Sequence, residues 1–266
     1  MGIVNVTPDS FSDGGRHLEP GAAISHGLRL AETGADLVDV GGESARPGSE
    51  GVSARQELSR VIPVVEGLAA AGVSVSIDTS KPEVAAEAIA AGAVVVNDIT
   101  ALASPGMAEV CAEAGVGVVL MHMQGTPRTM QVAPTYHDVV AEVRDFLIER
   151  AAMAVAAGIP STAICIDPGI GFGKTLEHNL TLLARLSDLV ETGYPALIGA
   201  SRKSLLGSLL GGTPPADRDE ATDATTALAI VSGVAVVRVH DAARARRTAL
   251  VLDAIVRANR PGQLLK

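Results

Sequence analysis

Along the chain, Ala- and Leu-rich segments with helical spacing repeatedly run up to a glycine, and a short β-branched run follows. The glycines are Gly34, Gly72, Gly92, Gly115, Gly158, Gly193 and Gly233. At the position just past a helix, each can adopt the left-handed conformation that stops it. The runs that follow read LVDVGG, VSVSID, VVVNDI, GVVLMH, AICIDP, ALIGAS and VAVVRVH. They are short and nearly uniformly apolar rather than alternating, as parallel strands covered on both faces should be. With MGIVNV at the start the count reaches about eight strands, each followed by a helix. This predicts the α/β class and a single (β/α)8 TIM-barrel domain over residues 1–266, with an open doubly wound sheet as the alternative. Ser80 with Glu83 and Ser53 with Gln56 fit capping boxes, and Ser104 before Pro105 fits an N-cap followed by N1.

Composition narrows the class. The 266 residues are 47% hydrophobic and 19% charged, which excludes a disordered polyelectrolyte and suits one large buried interior. A formal net charge of -9 repels phosphate backbones over most of the surface, so no nucleic-acid partner is expected and an anionic ligand needs a local basic cluster. No apolar run reaches the roughly 18 residues of a membrane span, and the start lacks a basic, signal-like segment. No membrane partner is expected, and a cytoplasmic location is. Cys111 and Cys165 lie far apart in apolar segments without a metal or redox motif, which reads as two buried thiols.

In such barrels the loops after the strands converge over the axis, so polar residues at strand C-termini are the first candidates for chemistry. Here those ends carry Asn5, then Asp39 and Glu43, Asp78, Asn97 with Asp98, His122, Asp167, Ser201 to Ser204 including Arg202 and Lys203, and Arg238 with His240. Asp78, Asn97 and Asp167 form a rim of acceptors suited to a flat, amidine-like heterocycle with several N–H donors. Lys203, Arg202, Arg238 and His240, with Arg46 on the loop after the second strand, read as cations where barrels commonly bind phosphate. Arg238 and His240 are two apart, so on a strand they point the same way.

The segment Asp167-Pro-Gly-Ile-Gly-Phe-Gly-Lys174-Thr175 ends like a nucleotide loop but has Pro168 where a Walker A glycine belongs. Its glycines instead allow backbone to approach a ring closely, with Phe172 stacking or closing over it. Aromatic residues are only 2% of the chain, so it matters that Phe11 and Phe172 both fall in strand-to-helix loops. Loops 7–15 and 43–51 are rich in Gly, Pro, Ser and Asp and are expected to act as lids.

Eight segments carry a resemblance to a known family: G-I-V-N-V-T-P-D-S-F-S-D-G-G, D-V-G-G-E-S-A-R-P-G, S-I-D-T, V-N-D-I, L-M-H-M-Q-G-T-P, D-P-G-I-G-F-G-K, G-A-S-R-K-S and R-V-H-D. They fall in order on the expected strand ends, and the chain closely resembles the dihydropteroate synthases, the folate-pathway family targeted by sulfonamides. The resemblance implies condensation of 6-hydroxymethyl-7,8-dihydropterin diphosphate with 4-aminobenzoate, giving dihydropteroate and diphosphate. It implies that Asp78, Asn97, Asp167 and Lys203 hold the pterin, that Arg238 and His240 hold the diphosphate, and that Asn5 helps place Mg2+. Ser204, Arg46, Pro47, Phe11 and Phe172 would border the aminobenzoate, and Asp9 and Arg46 would belong to the closing loops. By the same resemblance Lys203, Arg238, His240, Asp9 and Arg46 are the expected catalytic set, and the chain is expected to form a homodimer.

One position departs from the family: Ala45 stands where many members have Thr. The missing hydroxyl removes one hydrogen bond, about 0.5–1.5 kcal/mol if it is made. Two rivals remain. A pterin-dependent methyltransferase is similar in its barrel and acidic rim, but S-R-K-S and R-V-H suit a diphosphate that methyl transfer lacks. A non-catalytic pterin-binding barrel would share every motif and form no product.

Overall fold

The computed structural model describes residues 1–7, 20–46 and 48–258. The first half of the chain runs β1 (Gly2–Asn5), α1 (Pro20–Glu32), β2 (Val38–Gly41), α2 (Ala54–Ala70), β3 (Val75–Asp78), α3 (Pro82–Ala90), β4 (Ala93–Asp98) and α4 (Met107–Ala114). It continues with β5 (Gly117–Met121), α5 (Val139–Ala156), β6 (Ile164–Asp167), α6 (Leu176–Ala184) and α7 (Leu186–Val190). Last come β7 (Leu197–Ile198), α8 (Ser204–Leu209), α9 (Asp219–Val231), β8 (Val236–Val237) and α10 (Ala242–Ala258).

Strands β1 to β6 lie side by side in chain order, all parallel, and β7 pairs with β8 in the same sense. Two single bridges join these sheets into a ring: Ile166 with Ala196, and Gly2 with Val239. Across the second seam the Ile3 N–H donates to the Val239 carbonyl at 3.0 Å and the Val239 N–H to the Met1 carbonyl at 2.9 Å. The ring is the closed (β/α)8 barrel that the repeat predicts, and the open-sheet alternative falls.

Alternation along each strand sorts side chains into two layers. Val38, Val40, Val75, Ile77, Val96, Val118, Leu120, Ile164 and Ile166 are buried beneath the helices. The opposite parity brings Ile3, Asn5, Asp39, Ser76, Asp78, Asn97, Val119, Met121, Cys165 and Asp167 to the interior of the ring. Register sets Asn5, Gly41, Asp78 and Asn97 at one level across four neighbouring strands. The polar residues thus gather toward the C-terminal mouth, with Asp39 and Ser76 one layer below Asn5, Asp78 and Asn97, and the apolar layer outside them supplies the stability.

All seven glycines of the repeat have positive φ, from 67° at Gly115 to 118° at Gly34, so the left-handed stop is used at every one. The Ser53–Gln56 capping box is present at the start of α2. The other two expected caps are not. Pro82 occupies the first helical position of α3, which makes Lys81 rather than Ser80 its N-cap. The Ser104 hydroxyl donates to the Ser80 carbonyl at 2.6 Å instead of capping a helix, and α4 begins after Gly106. Cys111 is buried and Cys165 half-buried; burial pushes both thiols up to about 12, as expected of inert thiols. Among the described residues no helix is long and apolar enough to cross a membrane.

Ile166 is fully buried, so Ile166→Ala should lower unfolding free energy by about 2–5 kcal/mol. Ser53→Ala should cost about 1 kcal/mol through the lost cap. Urea denaturation checks both, and the Ser53 variant should retain its turnover number.

Candidate active site

At the mouth of the barrel three even-numbered strands meet on one carboxylate. Asp39, on β2, has no exposed surface. Its Oδ2 accepts from Arg238 Nε, just beyond β8, at 2.6 Å and from Asn97 Nδ2, on β4, at 3.1 Å. Barrels fill their interior with layers drawn from alternate strands, and here that layer is polar. Arg238 also reaches β3, donating from Nη2 to Asp78 Oδ2 at 2.8 Å.

Charge in this cluster is strongly coupled. Burial raises the Asp78 carboxyl; Arg238 opposes the rise, and Asp39, Glu57 and Asp98 reinforce it. Burial works against the charge of Arg238, but Asp39 and Asp78 hold its guanidinium above the usual arginine value. The group stays a cation.

Asp167 and Lys203 form the adjoining wall. Asp167 is buried, its Oδ1 accepts the Gly169 N–H at 2.7 Å, and burial raises its carboxyl against the pull of Lys203. Burial lowers Lys203 to about 8, with Asp167 pulling it up and Arg238 pushing it down. Lys203 Nζ donates to the Ile170 carbonyl and stands 4.5 Å from the centre of the Phe172 ring. The glycine-rich loop therefore wraps the lysine. Gly169 is required here: at φ 67° its Cβ would collide with the His122 carbonyl.

A cavity of about 480 Å³ touches Asn5, Arg202 and His240 and extends between α1 and the start of α10, where His26, Arg29, Thr33 and Ala243 line it. The Ser201 hydroxyl accepts the His240 backbone N–H at 3.2 Å and shares a 2.9 Å hydrogen bond with His240 Nδ1. Burial, then Arg202 and Arg238, lower His240 to about 4. Near pH 7 this favours the neutral imidazole, which presents an N–H donor where the sequence had suggested a cation. Arg238 and His240 flank Val239, which bridges Gly2 across the seam of the ring; Arg238 bonds to Asp39 and His240 to Ser201. Arg202 sits at φ 57° and pairs with Asp219 through two contacts of 2.6 and 2.8 Å.

Arg46 is exposed on its loop, close enough for its charge to act on His240, and Ser204 is exposed at the start of α8. Ala45 is half-buried on the same loop as Arg46. Asp9, Phe11 and Pro47 lie outside the described residues. Glu43 and Asp98 are diverted to architecture. Glu43 and buried Glu57 both pair with Lys81, the latter at 2.5 Å, and Asp98 accepts from the Thr100 and Leu102 N–H groups at 2.7 and 2.9 Å.

Sequence reasoning assigned nothing to Lys174 beyond rejecting a nucleotide loop. It is 2% exposed and its Nζ donates to His122 Nδ1 and the Phe172 carbonyl, each at 2.9 Å, and to the His122 carbonyl at 3.3 Å. Burial lowers it to about 7, and burial with Lys174 nearby lowers His122 to about 3. The pair fastens the β6 loop to the end of β5. The signal that could have revealed it was a lysine in an otherwise uncharged glycine loop.

Residues 1–240 match the family described as pterin binding enzyme. The dihydropteroate synthase of Escherichia coli K12 is 48% identical over 259 residues, covering 97% of this chain and 92% of that protein. A crystal structure of Yersinia pestis dihydropteroate synthase with a sulfonamide drug complex superposes with a TM-score of 0.92 at 46% identity, covering 96% and 93% of the two chains. The Xanthomonas albilineans dihydropteroate synthase with 4-aminobenzoic acid gives a TM-score of 0.90 at 51% identity over 96% and 92%. A shared barrel alone would leave the activity open, but identity at this level over nearly the whole of both chains does not: the chain belongs to the pterin binding enzymes and, within them, to the dihydropteroate synthase family.

Proposed function

We infer that this chain condenses 6-hydroxymethyl-7,8-dihydropterin diphosphate with 4-aminobenzoate, releasing 7,8-dihydropteroate and diphosphate, at the mouth described above. The observation that carries the reading is the gathering of Asp39, Asp78, Asn97 and Arg238 into one bonded cluster beside Asp167 and Lys203, in a chain of this family.

The pterin edge presents several N–H donors, and Asp78, Asn97 and Asp167 are the acceptors for them. When those donors take Asp78, Arg238 gives up its Nη2 contact there and remains bonded to Asp39 through Nε. Lys203 lies along the same wall and contributes positive charge beside Asp167 and the ring. The arylamine of 4-aminobenzoate is nucleophilic at neutral pH without a general base. Its lone pair forms the new C–N bond at the pterin methylene as the C–O bond to diphosphate breaks, and the amine then loses a proton to solvent. The electron-rich dihydropterin ring supports positive charge at that carbon. Arg238, and His240 as a neutral donor, face the negative charge that accumulates on the leaving group, a form of electrostatic preorganisation. Ser204, Arg46 and Phe172 border the aminobenzoate side, with Pro47, Phe11 and Asp9 assigned there or to the closing loops by resemblance alone.

Mg2+ fits the site as an ion carried by the substrate. Among the described residues no group of three His, Cys, Asp or Glu side chains could cage a metal. Asn5 lines the cavity beside His240 and offers one amide oxygen; a hard cation of this kind commonly completes its shell with phosphate oxygens and water. When bound, Mg2+ would neutralise charge developing on the diphosphate. A homodimer is part of the same proposal, supported by Leu228, Val231, Leu250, Val251 and Ile255, which are 41–60% exposed on the neighbouring helices α9 and α10.

The decisive experiment is diphosphate release that depends on 4-aminobenzoate, with dihydropteroate identified as product; release without it would defeat the assignment. Asp167→Ala should weaken binding of a diphosphate-free pterin analogue in calorimetry by about tenfold or more, the loss expected when a charged hydrogen-bond partner disappears. Arg238→Lys keeps a cation between Asp39 and Asp78 but loses the planar fork. It should leave analogue affinity within a few fold while lowering kcat by about a hundredfold, on the scale of removing one donor to a developing anion.

Lys203 loses its charge as pH rises through about 8. If that charge serves substrate binding, kcat/KM should fall above that pH, and Lys203→Arg should move the alkaline limb upward. His240 titrates near pH 4, so NMR should show its ring neutral from pH 8 down to pH 5. Sedimentation should give twice the chain mass, and Leu250→Glu with Ile255→Glu should halve it.

A further inference from the structure

Among the polar residues at the barrel mouth, Asp39 has been given no role in binding or chemistry, yet it makes the two contacts that orient its neighbours. Its Oδ2 takes hydrogen bonds from Arg238 Nε at 2.6 Å and Asn97 Nδ2 at 3.1 Å, groups 199 and 58 residues away in sequence. Its Oδ1 is buried without a hydrogen-bond partner among the described residues. The carboxylate is fully enclosed, so it cannot itself meet the substrate.

Two consequences follow from donor and acceptor chemistry. A carboxylate accepts only, so the group Asn97 turns toward Asp39 must be its NH2. The Asn97 carbonyl oxygen is then the end left for a ligand, and it matches an N–H donor rather than an acceptor. Arg238 has Nε committed to Asp39 and Nη2 to Asp78. Asp78 is an acceptor that the ligand needs, whereas Asp39 is not, so the Nε contact alone keeps the guanidinium at the axis when the Nη2 contact is exchanged.

We propose that Asp39 is a positioning residue for the reaction, locking Asn97 with its oxygen toward the pterin and tethering Arg238 while Asp78 changes partners. This rests on the assignment of Asn97 and Arg238 given under Proposed function.

The test is a pair of double-mutant cycles, read by calorimetry with a diphosphate-free pterin analogue and by steady-state kinetics. Asp39→Asn removes the charge and offers an amide N–H where two donors need an acceptor. It should weaken analogue binding about tenfold and lower kcat by at least as much. Because Asp39 acts through its neighbours, its effect on analogue affinity should largely vanish in an Asn97→Ala background, and its effect on kcat in an Arg238→Met background, where no cation is left to tether. A merely structural aspartate would give losses that multiply in both backgrounds, and that result overturns the proposal. So does wild-type behaviour of Asp39→Asn. If Asn97→Ala and Arg238→Met alone behave as wild type, the site assignment fails and this proposal with it; if they are impaired and the Asp39 losses multiply, only this proposal fails. Should Asp39→Asn prove unfolded by circular dichroism, Asp39→Glu keeps the charge and displaces it by one methylene. It should show the same loss of affinity and kcat, and unchanged values would overturn the tether.

Discussion

The mouth of this barrel is organised by one ion pair, Arg238 with Asp39, at 2.6 Å. Removing Arg238 leaves the buried Asp39 carboxylate uncompensated, a loss of about 3–5 kcal/mol in comparable settings. The pair also shapes the charge around it. Asp78 shares the same guanidinium, and Asn97 shares the same carboxylate, so four strands contribute to a single hydrogen-bonded unit. Such a unit can exist only where a closed sheet turns alternate strands toward one axis. The two bridges at Ala196 and Val239 that complete the ring are therefore as necessary to the site as the polar residues themselves.

Around that unit the protein arranges charge economically. The chain as a whole is acidic, with a net charge of -9. At the mouth Arg238 stays charged because two carboxylates surround it, whereas burial brings Lys203 to about 8 and His240 to about 4. These basic groups thus have three different states near neutrality: a fixed cation, a cation near its titration, and a neutral donor.

Several charged residues around the mouth that look functional are committed to structural contacts. Lys174 and His122 fasten the glycine loop to β5, and Lys81 ties Glu43 to the buried Glu57 of α2. Asp98 ties down the backbone turn that follows β4. Each is a charged or polar group whose partners come from its own loop or a neighbouring element. Their contacts brace the loops around the mouth.

Periodicity and glycine placement alone were enough for the barrel, because the helix stop at each repeat is a local backbone requirement and a two-sided apolar strand is a local pattern. The same logic placed the polar residues at one end, since strand ends are sequence positions. Family motifs then sorted Asp78, Asn97, Asp167, Lys203, Arg238 and His240 into expected roles. Local rules failed where a neighbouring residue overrode them, as when Pro82 displaced the cap at Ser80. What tertiary structure alone decided is which side chains meet and in what protonation state. Nothing local distinguishes Asp39, which bonds two site residues, from Asp98, which braces a turn, because their partners lie on strands that come together only when the ring closes. For the same reason the neutrality of His240 was invisible in the chain: burial beside Arg202 and Arg238 is a property of the folded mouth, not of the segment R-V-H.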